Sequence, residues 1–283
     1  MKRFISLIIA ATLFLTLSLA LASCGINSSK DLENITDDGV LKVGMECNYA
    51  PFNWTQTEKS DTAVKLSSGG YADGYDVQVA LKIADALDVK LEIVKLSWEG
   101  LIPALESGKI DMIIAGMSPT AERDEEIDFS NKYYTSELCM VVLKDGDYAS
   151  ATKISDFSGA KITGQKSTFH YSVIDQIEGV KKQTAMDTFP AMISSLQSGK
   201  IDGYVSELPG AVSAAQSNTD LTYIQFAEGN GFTASEEDVA IAVGVRDGSN
   251  LVDSINKALD KITDQDRKDL MDWAIKNQPV TQG

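Results

Sequence analysis

The chain has 283 residues, 43% of them hydrophobic, and its 41 Asp and Glu outweigh 25 Lys and Arg to leave a formal charge of −16. This length supports two modest cores, and the acidity argues against nucleic acid or anionic lipid as a partner, because both select basic surfaces. A lone histidine and three cysteines without zinc spacing argue against a His/Cys metal centre, and no Gly-x-x-x-x-Gly-Lys-Ser/Thr stretch is present to hold ATP, so no cofactor is expected.

Met1-Lys2-Arg3 is a short cationic head on an uncharged apolar run over residues 4–21, closed by Leu21-Ala22-Ser23-Cys24. Small residues before a cysteine make this a lipoprotein signal peptide, residues 1–23, in preference to an ordinary signal peptide or a membrane anchor. Cleavage would leave Cys24 as the lipidated first residue. Two or more acyl chains anchor stably, at about 0.8 kcal/mol per buried methylene. The expected location is outside the cell, on the outer face of its membrane or facing the periplasm. Residues 24–38 are polar and aperiodic and read as a flexible tether.

Residues 40–45 alternate as a strand, and Ala50-Pro51-Phe52-Asn53-Trp54 turns out of it. Residues 56–70 are Ser- and Gly-rich and read as a hairpin or surface loop. Asp76 is placed to cap a helix with an apolar stripe of Val77, Ala80, Leu81, Ala84 and Leu87. A strand over 90–96, a helix over 99–107 and a strand over 111–115 follow. Residues 127–134 then lead into the apolar run 138–143, which leaves the first unit. The second opens with a strand over 161–163, a turn at 164–167 and a helix over 168–177 capped by Ser167 or Thr168. A helix over 187–198, a strand over 202–206, the segment 209–217, an apolar strand over 239–245 and helices from Leu251 and Asp266 complete the chain, with Trp273 read as core. Cys47 and Cys139 sit in apolar, strand-like settings and read as buried thiols in preference to a disulfide.

One phrase occurs twice. Ser107-Gly108-Lys109-Ile110-Asp111 returns as Ser198-Gly199-Lys200-Ile201-Asp202, each copy between an apolar helix and an apolar strand. A helix, a Gly stop and a buried strand are half of a βαβ unit, so the duplication predicts two α/β lobes of similar wiring with a cleft between them. Ligands of open α/β sheets sit beyond the carboxyl ends of the strands, which places residues 116–120 and 206–209 at that cleft.

Arg123 would then offer a guanidinium from one lobe and Glu207 a carboxylate from the other, a pairing complementary to a free α-amino acid. Ser118, Thr168 and helix-start amides add donors for the carboxylate, and the Gly116 carbonyl can accept from the ammonium. The plainer alternative puts Arg123 on a surface helix and Glu207 in a solvated turn.

The stretches Gly74-Tyr75-Asp76-Val77, residues 101–111, Gly116-Met117-Ser118-Pro119-Thr120-Ala121-Glu122-Arg123 and Ile127-Asp128-Phe129-Ser130-Asn131-Lys132-Tyr133-Tyr134 resemble the polar amino-acid class of solute-binding proteins of bacterial ABC transporters. The resemblance runs from about Val40 to the C terminus. It implies a type II periplasmic-binding-protein fold: two α/β lobes joined by two hinge strands, residues 39–136 with 240–283 and residues 137–239, the last helices returning to the first lobe. It further implies that Tyr49, with Phe52 or Trp54, packs on the ligand side chain, and that Ser118, Arg123, Ser167 and Thr168 hold the α-carboxylate. Met117 shares the Gly116 to Arg123 stretch, and Glu207 would hold the α-amino group. Glu46 resembles the position that meets the terminal cation in lysine, arginine and ornithine binders, or else it braces the turn at residues 48–51. Two departures stand out: Lys166-Ser167-Thr168 occurs where a Gly-Thr pair is common, and Glu207 where Asp is common.

The function implied is capture of a polar, in particular basic, amino acid by hinge closure, and delivery to a membrane permease driven by an ATPase. The protein would act as a monomer, tethered to the membrane through Cys24, without nucleic acid. Two rivals are a dehydratase of amino-acid precursors and a ligand-sensing domain. The first needs an acid or base tuned near neutrality, and His170, beside Thr168 and Phe169, reads as a surface residue. The second would continue into a membrane span.

Overall fold

The computed structural model describes residues 29–279; the signal peptide and Cys24 lie outside them. In chain order the strands are β1 (Val40–Met45), β2 (Asn48–Tyr49), β3 (Asn53–Gln56), β4 (Val64–Lys65), β5 (Tyr71–Asp73), β6 (Lys90–Lys95), β7 (Met112–Ile113), β8 (Ile127–Thr135), β9 (Leu138–Leu143), β10 (Lys161–Thr163), β11 (Lys181–Lys182), β12 (Gly203–Glu207), β13 (Leu221–Gln225) and β14 (Ala240–Arg246).

They form two five-stranded sheets of one plan, β6-β1-β7-β14-β8 and β11-β10-β12-β9-β13, with a small sheet β2-β3-β5-β4 beside the first. In the first sheet β1 runs parallel to β6 and β7, and β14 runs antiparallel to β7 and β8. In the second, β10 runs parallel to β11 and β12, and β9 runs antiparallel to β12 and β13. The chain crosses between sheets at residues 136–137 and returns through the short helix Glu236–Val239. The two crossings lie side by side, Ser136 N donating to Val239 O at 2.9 Å. Strands β12 and β14 are almost wholly buried; β14 is apolar on both faces, as a strand covered on each side must be, while β12 is apolar up to Val205 and ends on the buried polar pair Ser206 and Glu207.

The repeated phrase does the same work in both sheets. Gly108 and Gly199 adopt φ of +72° and +69°, the left-handed C-terminal stop that glycine supplies without strain. The Asp111 carboxylate accepts Lys42 N–H at 2.8 Å, and Asp202 accepts Lys161 N–H at 2.8 Å. Each aspartate thereby satisfies an amide of the neighbouring strand.

Several expectations are corrected. Residues 31–38, read as tether, form the helix Asp31–Asp38. It is docked: Ile35 is buried in the core, and Asp31 pairs with Arg246 at 2.7 Å and accepts Ser249 Oγ at 2.7 Å. Burial pushes the Asp31 carboxyl up, but the bonds from Arg246, Ser249 and Ser29 outweigh it and hold it below the usual range. The next helix is Tyr75–Ala86, its cap position Gly74 rather than Asp76. A Cβ on Gly74 would come within 2.4 Å of the Phe52 carbonyl, so only glycine fits there. Asp76 instead lies fully buried in the first turn, accepting from Asn53 Nδ2 and the Tyr133 phenol, both at 2.8 Å. The helix expected over 168–177 breaks into an α-turn, Phe169–Ser172, and a tighter 3-10 turn, Val173–Gln176.

Cys47 and Cys139 are buried free thiols, and burial pushes the Cys47 thiol up to about 12. Trp273 is half-buried and packs on Trp54 at 6.2 Å. Its helix, Asp264–Asn277, lies on Tyr75–Ala86 and also on Leu208–Ser217, so it touches both lobes rather than the first alone. Among the described residues no helix is long and apolar enough to cross a membrane.

Candidate ligand cleft

The carboxyl ends of the parallel strands from both sheets converge. Glu46 directly follows β1, β7 runs on to Gly116 to Ser118, the turn after β10 carries Gln165 to Thr168, and β12 ends on Glu207. Equivalent topology in two facing sheets is what brings these four strand ends to one place.

Between them lies a cavity of about 10 Å³, lined from the first lobe by Tyr49, Trp98, Gly116, Ser118 and Arg123. The second lobe contributes Gln165, Thr168, Phe169 and His170. That is room for about one water, so any larger ligand requires the lobes to part. Gly116 has φ of +63°, and a Cβ there would sit 2.9 Å from the Tyr49 ring. The glycine therefore permits both the turn and the close approach of the ring.

Arg123 is half-buried on the short helix Ala121–Asp124 and spans both sides. Its Nη1 donates to Ser118 O at 2.8 Å, its Nη2 donates to Ser167 O at 3.1 Å, and its guanidinium lies 5.0 Å from the Trp98 ring centre. Burial pulls the guanidinium down to about 10, against the pull of Glu122, Glu207 and Asp238, so it stays charged at neutral pH. Ser167 has φ of +56°, a conformation glycine adopts freely, which accounts physically for the Gly-Thr pattern from which this turn departs. The residue faces Arg123 with its carbonyl; its hydroxyl donates to Glu99 at 3.3 Å.

Glu207 is 3% exposed. Its Oε2 accepts the Tyr49 phenol at 3.0 Å, and its Oε1 lies 3.4 Å from His170 Nε2. Burial, then the charge of Glu207, raises the Tyr49 phenol well above its ordinary value. The Tyr49 ring stacks on Phe189 at 4.2 Å, closing the cleft floor from both lobes. Glu46 is 4% exposed and accepts Gln165 Nε2 at 3.1 Å. Burial pushes its carboxyl up to about 7, with the Gln165 bond opposing. Glu46 also borders a neighbouring pocket of about 480 Å³ with Asn48, Trp98, Glu99, Lys166 and Asp187. A further cross-lobe tie is the exposed pair Lys166–Glu99 at 2.9 Å, of the kind worth little on its own.

Of the residues singled out from sequence, Tyr49, Gly116, Ser118, Arg123 and Thr168 line the cavity, with Glu46 and Glu207 bonded to residues that line it. Ser118 Oγ is spent on Asp238 O at 2.9 Å, and Thr168 Oγ1 on Gln165 O at 2.7 Å. Three others sit elsewhere. Phe52 is fully buried beneath Tyr49, ring centres 5.0 Å apart. Trp54 packs on Trp273 and donates its Nε1–H to Gln56. Met117 belongs to the apolar cluster of Leu101, Ile110 and Ile127. Of the three only Trp54 lies on a strand, β3; Phe52 and Met117 lie in the turns before β3 and after β7, and burial of the apolar side chain in the core seats all three away from the cleft. His170 reverses its expected surface placement: it is buried, 9% exposed, and inside the cleft. Trp98, Gln165 and Phe169 went unread, although Trp98 follows β6 as Gly116 follows β7, and the same strand-end rule points to it.

The sequence profile of bacterial extracellular solute-binding proteins, family 3, matches residues 41–272. The chain belongs to that family. A probable histidine-binding protein of Campylobacter jejuni is 30% identical over 267 residues, covering 92% of this chain and 93% of its own. The arginine-binding extracellular protein ArtP of Bacillus subtilis is 26% identical over 269 residues, 93% and 94% of the two chains. Among solved structures, an amino acid ABC transporter substrate-binding protein from Streptococcus pneumoniae bound to L-arginine superposes with a TM-score of 0.77 at 29% identity, covering 89% of this chain and all of that one. Like other family 3 solute-binding proteins, this chain has the two-lobed type II fold.

Proposed function

We propose that this family 3 protein is the extracellular substrate-binding protein of an amino-acid ABC importer, taking a basic L-amino acid. The observation that carries the reading is that Arg123 from one lobe and Glu207 from the other meet at one cavity, which Arg123 lines and where Glu207 lies against two further lining residues, Tyr49 and His170. Arg123 gives its two N–H groups to the ligand carboxylate in place of the Ser118 and Ser167 carbonyls. Glu207 accepts from the ammonium, and Tyr49 and Trp98 flank the side chain. Each charge-assisted bond contributes roughly 1.5–3 kcal/mol, so a few of them, less ordering costs, reach the about 8 kcal/mol of a micromolar site.

Glu46 supports the basic preference. A buried carboxyl that titrates near neutrality gains from a cation brought to it, and the bordering pocket has room for a long side chain. The lobes, residues 39–136 with 240–283 and residues 137–239, part and close about the paired crossings. The closed form docks on a permease, with Cys24 lipidated after removal of residues 1–23 and the protein acting as a monomer. A thermal-shift screen of the twenty amino acids on the full-length protein in mild detergent tests the reading. Stabilisation by arginine, lysine or histidine is the expected result, and no shift with any of the twenty overturns it. The family's relatives named above are binding proteins, and incubation with arogenate or prephenate without turnover separates this function from a dehydratase.

A further inference from the structure

We propose that His170 is a positioning residue of the amino-acid site: while neutral it steadies Glu207 for the ligand ammonium, and when protonated it takes that charge for itself, so affinity falls with pH. This rests on the reading of the cleft as an amino-acid site.

The geometry is specific. The His170 Nε2 stands 3.4 Å from Glu207 Oε1, its Nδ1 has no hydrogen-bond partner among the described residues, and the ring lines the cavity edge-on to Phe189 at 6.3 Å. A carboxylate facing Nε2 selects the tautomer with hydrogen on Nε2 and a bare lone pair on Nδ1. In that form the ring brings no charge to the site, with one Glu207 oxygen facing His170 Nε2 and the other accepting from Tyr49. Protonation changes both ends of the ring. The imidazolium neutralises Glu207, and a new Nδ1–H is left buried without an acceptor, which costs free energy while the lobes stay closed. A ligand ammonium and the imidazolium then compete for one carboxylate. By linkage, protons weaken ligand binding and the ligand expels the proton.

Other charges face the pair. Arg123 stands across the cleft on its short helix, and Asp76 (helix Tyr75–Ala86), Tyr134 (β8) and Cys139 (β9) feel the Glu207 charge. Asp76, together with Glu46 beyond Gln165, also titrates near neutrality. Their contribution persists when His170 is replaced, so the comparison of wild type with His170→Gln isolates the imidazole.

Two measurements on the full-length protein in mild detergent decide the matter. His170 is the chain's only histidine, so selective ¹⁵N-histidine labelling gives one imidazole to follow by NMR without ligand. Its midpoint is expected to drop in Glu207→Gln; the same midpoint in both proteins overturns the coupling. Calorimetry then compares pH 8 with pH 5, using whichever of L-arginine, L-histidine and L-glutamine binds. Binding by wild type is expected to weaken about tenfold more than binding by His170→Gln, the scale of one charge-assisted bond. Equal weakening in the two proteins overturns the proposal alone. Failure of all three to bind wild type at pH 8 overturns the amino-acid reading and the proposal with it. If His170→Gln does not fold, the ligand-free titration still decides.

Discussion

The Tyr49 phenol donates to Glu207 Oε2 at 3.0 Å although the two residues stand 158 positions apart and belong to different lobes. Together with the Tyr49–Phe189 stack it is the central tie across the cleft. Tyr49→Phe keeps the ring and removes the bond, leaving one oxygen of a buried carboxylate short of a donor. A hydrogen bond to a charged group is worth about 1.5–3 kcal/mol, so the ratio of closed to open protein is expected to fall by roughly tenfold or more. A larger radius of gyration by small-angle scattering would show it, and an unchanged one would refute the role of this bond in closure.

Arg123→Ala removes a guanidinium whose partners are two backbone carbonyls and the face of Trp98. Truncating one member of a buried charge pair costs about 2–5 kcal/mol of affinity. Amino-acid binding is expected to weaken by at least about thirtyfold, with the melting temperature little changed because Arg123 is only half-buried. Calorimetry returning near-normal affinity would remove Arg123 from the site.

Glu46 carries a pH prediction. Its carboxyl is raised from 4.5 to about 7, chiefly by burial, so the folded protein holds this proton more tightly than the unfolded chain does. The contribution is fully present below about pH 4.5 and is lost as the pH rises to about 7. Glu46→Gln should flatten that fall and stabilise the protein at pH 8 by about 2 kcal/mol, roughly 4–8 °C. Asp76, also raised to about 7, leaves a residual slope in the variant. The same change should weaken arginine or lysine about tenfold while sparing glutamine. Equal affinity for arginine in both proteins would show that Glu46 only braces the cleft.

The repeated aspartates offer a test of the duplicated wiring. Asp111→Ala and Asp202→Ala each orphan a strand amide, Lys42 N–H or Lys161 N–H. Each is expected to cost about 1–3 kcal/mol in denaturant unfolding. The two losses should be of similar size, since the bonds are matched at 2.8 Å. A silent Asp202→Ala beside a costly Asp111→Ala would mean that the likeness is confined to sequence.

Much of the scaffold could be read from the chain before folding is considered. The extents of β1 and β10, the glycine stops at 108 and 199, and the paired lobes follow from hydrophobic period and turn chemistry, which act over a few residues. Gly116 and Arg123 could be placed by their position after a strand end, whereas Tyr49 was read from the family resemblance; all three line the cavity.

The remainder depended on contacts between distant segments. Helix Asp31–Asp38 is polar enough to pass for a tether and is held by Arg246, 215 positions away. His170, on the turn Phe169–Ser172, resembles a surface residue until Glu207 arrives from the end of β12 to meet its Nε2. Phe52 and Trp54 share the apolar character of Tyr49, and only the packing of the sheet against its covering helices decides which ring is left at the cleft. Local sequence sets backbone conformation through short-range sterics and periodicity, whereas burial and the pairing of charges are properties of the space between elements and come into being only when those elements pack.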